Sequence, residues 1–137
     1  MQFTRKGDYA LKAMAYLAEA NSPKPHTIDE ISENSKVPRH FLAKILKELT
    51  RANLLVASKG ARGGYVLARK PEDINLLEVI EAAIGPLALN LCLEGNGRCP
   101  ESPECGLFPI WQKASIAVIE VFENTKLSAI RHRQLSA

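Results

Sequence analysis

The chain has 137 residues, of which 46% are hydrophobic and 24% are charged, and its formal net charge at pH 7 is +3. This length fits one domain, alone or with an oligomerisation arm. No apolar run approaches the roughly 20 residues that a membrane-spanning helix needs, which excludes that class of protein. The first eight residues, MQFTRKGD, carry charges with no apolar signal region behind them. We therefore expect a cytoplasmic protein with reduced thiols.

The charge is unevenly distributed along the chain. Residues 36–70 contain nine Lys or Arg and a single acidic residue, Glu48, whereas residues 1–35 and 71–137 each carry a negative balance. A basic middle third between two acidic flanks indicates a polyanionic partner for that third alone. Charge by itself equally allows a solvated helix face with no such partner.

The first third predicts two helices. Apolar residues recur on one stripe of residues 3–20, which predicts a helix that the sequence NSPKP at 21–25 ends. Thr27 and Glu30 have the spacing of a capping box, in which the threonine side chain accepts a backbone N–H bond and the glutamate bonds back. The helix that this box begins should be short and end near Ser35.

A third predicted helix follows a four-residue turn, and Pro38 suits its first turn, where a missing N–H costs nothing. Apolar residues form its inner stripe: Leu42, Ile45, Leu46 and Leu49. The opposite face carries cations at intervals of four, three and four residues: His40, Lys44, Lys47 and Arg51. A short helix, a tight turn and a helix with a cationic outer face form the helix-turn-helix pattern, in which the second helix enters DNA. The residues predicted to contact DNA here are Arg39, His40, Lys44 and Lys47.

Two short β-prone runs, at 54–57 and 65–68, surround the glycine-rich sequence SKGARGG at 58–64. This pattern predicts a β-hairpin, and a hairpin directly after a helix-turn-helix is a wing. Lys59 and Arg62 at its tip are candidates to contact phosphates or to enter a narrow minor groove. The alternative, a nucleotide phosphate loop, is disfavoured because no Gly-Lys-Ser/Thr sequence and no helix follows.

All three cysteines, Cys92, Cys99 and Cys105, lie in one polar stretch rich in glycine and proline. It follows a helix that is predicted to begin at the capping residue Asn75 and to end at Gly85. The stretch has no apolar face to bury, and thiolates converging on a metal ion or cluster would give it order. Redox-active thiols and inert buried cysteines are the alternatives, and a disulfide would leave one cysteine unpaired.

From Leu107 onward, apolar residues again recur at helical spacing. This helix has so much apolar surface that it needs a partner, and a symmetric homodimer is favoured over packing on its own domain because a winged helix is complete without it. Residues 127–133 could add one short helix with Ile130 turned inward. We therefore predict a mainly α-helical chain with a small β-hairpin, divided into a winged helix-turn-helix DNA-binding domain over 1–85, a cysteine-containing cluster loop over 86–106, and a long C-terminal dimerisation helix with a tail over 107–137.

Three stretches together resemble the Rrf-two family: TRKGDYAL at 4–11, GARGGYVL at 60–67, and the three cysteines ahead of 107–111. The resemblance covers nearly the whole chain. It implies a dimeric winged-helix transcriptional repressor that binds a palindromic operator in double-stranded DNA, with a long helix crossing between the subunits. In IscR- and NsrR-type members of the family, DNA affinity depends on the state of an iron–sulfur cluster, and other members are cluster-free.

The resemblance also implies a ligand set. Cys92, Cys99 and Cys105 occupy the family's three cysteine positions, although the first spacer is one residue longer than usual. Some members take a fourth ligand from a histidine three residues after the third cysteine, where this chain has Phe108. Others take an aspartate from the first helix of the partner subunit, and the matching residue here is Asp8. Asp8 could instead only complement the positive end of its own helix.

We expect an iron–sulfur cluster, 4Fe–4S rather than 2Fe–2S. Three thiolates and a carboxylate would leave one iron of a 4Fe–4S cluster with a weak, displaceable oxygen ligand suited to sensing nitric oxide, redox state or iron supply. The same donors would satisfy the tetrahedron of zinc, which stays open as an alternative. No nucleophile–base pair or paired carboxylates accompany the cysteines, so an enzyme is not expected. The remaining alternative is a winged helix that binds only proteins, and a steep loss of DNA affinity with salt would exclude it.

Overall fold

The computed structural model describes residues 4–89 and 104–130. Within them the fold is mainly α-helical with a two-stranded antiparallel sheet, which confirms the predicted fold class. The elements in chain order are α1 (Arg5–Ala20), α2 (Ile28–Ser35), α3 (Arg39–Arg51), β1 (Leu55–Ser58), β2 (Gly64–Leu67), a 3₁₀ turn (Pro71–Asp73), α4 (Leu76–Ile84), α5 (Phe108–Glu123) and a 3₁₀ turn (Leu127–Ala129). None of the helices in the described ranges is both long and apolar enough to cross a membrane.

Side-chain caps determine where helices begin. The Thr4 side chain accepts the Gly7 N–H, so α1 starts at Arg5 and not at residue 3 as the apolar stripe predicts. At α4 the predicted capping arrangement is complete, since Asn75 Oδ1 accepts the Glu78 N–H and Glu78 Oε2 accepts the Asn75 N–H, both at 3.0 Å. Such caps satisfy backbone donors that the helix itself leaves unpaired.

The predicted capping box of α2 forms only in half. Thr27 Oγ1 accepts the Glu30 N–H at 3.2 Å, as predicted. The Glu30 carboxylate lies instead beside His26, with its Oε2 3.4 Å from Nδ1. The Tyr16 hydroxyl lies 3.3 Å from the same nitrogen, and burial of Tyr16, together with the charge of Glu30, raises the pKa of its phenol. The Glu30 carboxylate, which the sequence spacing predicts to bond back to the cap, therefore lies beside His26 outside the helix.

The core lies between α1, α2, α3 and α4. The stripe predicted to face inward on α3 is buried, each residue at most 1% exposed: Leu42, Ile45, Leu46 and Leu49. Met14 from α1, Ile31 from α2 and Val79 from α4 are fully buried in the same cluster. Burying a side chain of this size stabilises a fold by about 1.5–3 kcal/mol. The stripe therefore fixes the rotation of α3 and turns its opposite face outward.

β1 and β2 pair antiparallel, with Ser58 opposite Gly64, and each strand is displaced by one residue from its predicted position. The hairpin is bonded to the segment before α2, because the Tyr65 N–H donates to His26 O at 2.8 Å and Tyr65 O accepts the His26 N–H at 3.0 Å. A Cβ on Gly64 would lie 2.3 Å from His26 O, so this close approach requires glycine. The wing is thus fixed to the helix-turn-helix.

α5 packs on α4 but buries little of its own surface. Among its 16 residues Ser115 is the buried one. Large apolar side chains at its start and along its length stay exposed: Leu107 (55%), Ile110 (61%), Trp111 (37%), Ile116 (52%) and Val121 (64%). The apolar surface predicted from the sequence is therefore present and is not covered by the described part of the chain.

The C-terminal end of α5 is bonded back to the start of α4. The Leu76 N–H donates to Thr125 O at 3.0 Å, and the Leu127 N–H donates to Ile74 O at 2.7 Å. Leu127 is fully buried, and Ile130 packs partly buried against the core, as predicted. The short helix predicted from residue 127 begins as a 3₁₀ turn, and residues 131–133 lie outside the described ranges.

Candidate DNA-binding surface and metal ligands

α3 presents the cationic face that its sequence predicts. The five basic residues of this helix are all exposed: Arg39, His40, Lys44, Lys47 and Arg51. The first turn contains no acidic residue, and Pro38 supplies no capping side chain, so no side chain within it offsets the positive end of the helix dipole. The exposed face can therefore attract a polyanion.

Arg39 differs from the other cations of α3 because a carboxylate of α2 holds it. Its Nε donates to Asp29 Oδ1 at 2.6 Å. The two side chains are 64% and 74% exposed, so the pair lies at the surface, between the two helices of the helix-turn-helix. The sequence did not predict this contact, because the two residues are ten positions apart and belong to different helices.

A cleft of about 340 Å³ lies between the first turns of α1 and one flank of α3, and it was not predicted. Phe41, which is 49% exposed, lines it, with its ring centroid 5.6 Å from that of Tyr9 and 4.1 Å from that of His40. Arg5 and Lys44 also line the cleft. Phe41 is an aromatic residue outside the inner stripe of α3, and this feature of the sequence could have indicated the cleft. The cations of α1 thereby extend the cationic surface of α3.

The wing tip is a tight turn in which Lys59 and Arg62 are both exposed. Gly60 has a φ of 101°, in the left-handed region that favours glycine, and its carbonyl accepts the Gly63 N–H at 3.0 Å. A Cβ on Gly63 would lie 2.3 Å from Ser58 O, so the turn requires glycine there as well. Both predicted wing cations are therefore available to an outside partner.

Two of the four predicted metal ligands lie outside the described residues: Cys92 and Cys99. Cys105 has a free, half-buried thiol, and its carbonyl accepts the Phe108 N–H at 3.1 Å at the start of α5. Asp8 lies in the first turn of α1, and its half-exposed carboxylate pairs with Lys12 Nζ at 3.0 Å. In the ranges that the structure covers, no three His, Cys, Asp or Glu side chains form a metal-binding group.

The donors that are described suit either predicted metal. A cysteine thiolate is a ligand for iron–sulfur clusters and for zinc, and a carboxylate oxygen suits zinc or a single iron. The pair between Asp8 and Lys12 is a surface contact, which contributes little to stability and is readily exchanged. The two described side chains, Cys105 and Asp8, are therefore of types that an iron–sulfur cluster or a zinc ion accepts as ligands.

A helix-turn-helix with an exposed cationic second helix, followed by a hairpin with cations at its tip, defines a winged-helix DNA-binding protein. Residues 3–133 match the family described as Rrf2: Iron-dependent Transcriptional regulator. The chain therefore belongs to the Rrf2, or Rrf-two, family. This confirms the resemblance that three stretches of the sequence indicate.

Named relatives place the chain among regulators of transcription. It is 31% identical over 131 residues to the HTH-type transcriptional regulator NsrR of Bacillus licheniformis, covering 95% of this chain and 92% of that one. Its fold is similar to that of the global cysteine regulator CymR of B. subtilis, with a TM-score of 0.74, 28% identity and 93% of each chain covered. The IscR of T. potens also has a TM-score of 0.74, at 26% identity, covering 93% of this chain and 84% of that one. The chain is thus a winged-helix transcriptional regulator and not an enzyme, as predicted.

Proposed function

We propose that this chain is a homodimeric transcriptional repressor that binds a palindromic operator and senses nitric oxide, redox state or iron supply through an iron–sulfur cluster. The observation that carries its DNA-binding part is the exposed cationic face of α3, opposite a fully buried apolar stripe. Membership of the Rrf2 family supports the role in transcription. The proposed location is the cytoplasm, where thiols stay reduced.

In this proposal α3 enters the major groove of duplex DNA. Because the buried stripe fixes the rotation of the helix, Lys44 and Lys47 face the groove and its phosphates. The wing is bonded to the segment before α2, so Lys59 and Arg62 keep a fixed position relative to α3. They contact an adjacent phosphate or the minor groove.

Two copies of the chain join through α5. Its exposed apolar residues, from Leu107 to Val121, form a surface of the kind that marks protein interaction sites. A symmetric pair of α5 helices covers this surface on both copies. Two α3 helices related by the same twofold axis contact half-sites about 34–36 Å apart, which is why the proposed operator is palindromic.

Cys92, Cys99 and Cys105 are the proposed cysteine ligands, and Asp8 of the partner subunit is the fourth. When bound, a 4Fe–4S cluster would supply an iron with a weak oxygen ligand, open to reaction with nitric oxide or oxygen. Cys105 lies three residues before α5, and Asp8 lies in the first turn of α1, where Arg5 and Tyr9 line the cleft beside α3. These ligands would connect the dimerisation helix of one copy to the DNA-binding unit of the other. Loss of the cluster would free the loop and the adjoining end of α5, which would change the angle between the two DNA-binding units or release Asp8 from the partner.

DNA binding is tested by titrating affinity with salt. Lys44→Ala and Lys47→Ala should each weaken operator binding and lower the slope of log affinity against log salt by about 0.9 for each phosphate contact removed. Lys24→Ala is the matched control, because Lys24 is an exposed lysine in the segment between α1 and α2. If Lys44→Ala and Lys47→Ala both bind DNA as tightly as the wild type, α3 is not part of the DNA interface.

The cluster is tested by iron and sulfide analysis after anaerobic purification. The wild-type protein should contain iron and acid-labile sulfide, and Cys99→Ala should lose the visible absorbance of the cluster. Asp8→Ala should speed cluster loss without changing the helical circular dichroism, whereas Lys12→Ala, which keeps the carboxylate, should retain the cluster. If the wild-type protein is colourless and contains one zinc ion per chain, the bound metal is zinc and the iron–sulfur proposal is wrong.

The second candidate is a cluster-free regulator that uses the cysteines as redox thiols. The free, half-buried Cys105 thiol and the similarity to the global cysteine regulator of B. subtilis favour it. In that case the protein contains neither iron nor sulfide, and a thiol oxidant should change operator affinity in a way that a reductant reverses. A Cys105→Ser variant that responds to oxidant like the wild type would exclude Cys105 as the responsive thiol.

A further inference from the structure

The contact between Arg39 and Asp29 occurs at the end of α3 that enters DNA in the proposed function. Arg39 is the first residue of α3, and its Nε donates to Asp29 Oδ1 in the first turn of α2 at 2.6 Å. In a helix-turn-helix the N-terminal residues of the second helix contact base edges. The pair therefore lies where sequence is read.

The contact uses one edge of the guanidinium and leaves the other edge available. Within the described residues, Nη1 and Nη2 of Arg39 make no hydrogen bond, while Nε is bonded to Asp29. A bidentate contact with guanine O6 and N7, the most common specific contact in the major groove, needs two guanidinium donors, and Nη1 and Nη2 together provide such a pair. A carboxylate on Nε limits the rotation of the guanidinium, so less freedom is lost when that contact forms.

Neither stability nor simple charge attraction explains the carboxylate. Exposed ion pairs contribute little to folding, and here the side chains are 64% and 74% exposed. A carboxylate close to DNA phosphates also opposes binding unless it has another role. In the part of the chain that the structure describes, Lys44, Lys47 and Arg51 make no ion pair with a carboxylate, so Arg39 is the one cation of α3 whose orientation is set.

We propose that Arg39 is a specificity-determining residue that forms a bidentate contact with one guanine in each operator half-site. Asp29 is its positioning residue, which holds Nε so that Nη1 and Nη2 face the base. This inference rests on the proposed DNA binding by α3. It divides the cationic surface into an oriented arginine that reads a base and flexible lysines that contact phosphates.

The test begins with a duplex that the wild-type protein selects from a random DNA pool. Affinities for this duplex, and for duplexes with each G·C pair replaced in turn, are then measured for the wild type, Arg39→Ala, Asp29→Ala and the double variant. Arg39→Ala should lose about 5- to 150-fold of discrimination at one G·C pair of each half-site and little elsewhere. Asp29→Ala should lose part of the same discrimination although it removes a negative charge, and the double variant should match Arg39→Ala.

Two further variants separate orientation from charge. Asp29→Asn keeps an oxygen acceptor for Nε without the charge, and it should retain more discrimination than Asp29→Ala. Glu33→Ala removes another exposed carboxylate of α2, and its discrimination should equal that of the wild type. Because all these side chains are exposed, thermal unfolding should be nearly unchanged.

Three outcomes would overturn the inference in distinguishable ways. If Asp29→Ala binds every duplex more tightly and discriminates as well as the wild type, Asp29 only opposes the DNA charge. If Arg39→Ala weakens all duplexes equally and lowers the salt slope, Arg39 contacts a phosphate. If the wild type selects no duplex at all, the proposed DNA binding itself fails, and the inference fails with it.

Discussion

α3 and α5 are both amphipathic helices, yet the chain treats their apolar faces in opposite ways. α3 buries its four inner leucine and isoleucine side chains and exposes cations. α5 is longer, and it leaves apolar residues such as Ile110 and Val121 more than 60% exposed while it buries Ser115. The two faces therefore have different functions. The stripe of α3 stabilises the monomer, and that of α5 is available for assembly.

The largest effect is expected from a charge on the exposed face of α5. Ile110→Glu should weaken dimerisation by about 3–6 kcal/mol, because each of two copies loses a buried side chain worth about 1.5–3 kcal/mol. Analytical ultracentrifugation over a range of concentrations measures this change. Gln112→Glu, an exposed position of the same helix outside the apolar stripe, is the control and should leave the dimer intact. If Ile110→Glu dimerises as strongly as the wild type, the dimer interface lies on another surface.

One leucine substitution in each helix compares how much α3 and α5 contribute to the free energy of unfolding. Leu46→Ala in α3 should lower the free energy of unfolding by about 2–5 kcal/mol, because it leaves a cavity in the core. Leu107→Ala, at the start of α5, should change it by less than about 0.5 kcal/mol. Urea unfolding of both variants in the Ile110→Glu background excludes any contribution from dimerisation. Equal losses would show that α5 is part of the monomer's core.

A smaller effect is expected at the joint between the two regions. Asn75→Ala removes the cap of α4, where the end of α5 is bonded, and should lower the free energy of unfolding by about 1 kcal/mol. Asn34→Ala in α2 removes an exposed asparagine that caps no helix and should change stability by less than about 0.5 kcal/mol. Thermal or urea denaturation measures both. If the two variants are equally stable, the cap contributes nothing here.

The smallest effect is a pH dependence at Glu78. Burial raises the pKa of this carboxyl, but the hydrogen bond from the Asn75 N–H and the hydrogen bond and charge of Arg69, with Lys126 nearby, together lower it. A lowered pKa in the folded state means that Glu78 stabilises the protein above the unfolded carboxyl pKa of about 4.3. This contribution is lost as the pH falls through the folded pKa. The stability difference between wild type and Glu78→Gln should therefore shrink between pH 6 and strongly acidic pH, and a constant difference would contradict the assignment.

The parts of the fold that follow local rules were predictable. The cationic face of α3 follows from helical spacing alone, because its cations recur opposite an unbroken apolar stripe. The cap at Asn75 and the tight wing turn follow from residue types at fixed offsets. The strands were displaced by one residue, since pairing register depends on the partner strand and on the bond between Tyr65 and His26.

The contacts between elements could not be predicted from the sequence. Asp29 reaches Arg39, and Tyr9 reaches Phe41, only because α1 and α2 pack on α3, and no spacing rule connects these residues. The sequence showed that the helix from Leu107 has surplus apolar surface but not whether its own domain would cover it. The metal ligands Cys92, Cys99, Cys105 and Asp8 stay a prediction.

Backbone hydrogen bonds join the end of α5 to the start of α4 and so hold one end of α5 in place. The chain that follows α5 is hydrogen-bonded to Ile74 and Leu76 at the beginning of α4, and Leu127 is fully buried there. The C-terminal end of α5 is therefore held to the core, whereas the backbone hydrogen bonds described at its N-terminal end are local, to the carbonyls of Cys105 and Leu107. A rigid helix that is held at one end moves most at the other, so a rotation of α5 about its C-terminal end would displace the segment around Cys105 more than the segment around Thr125.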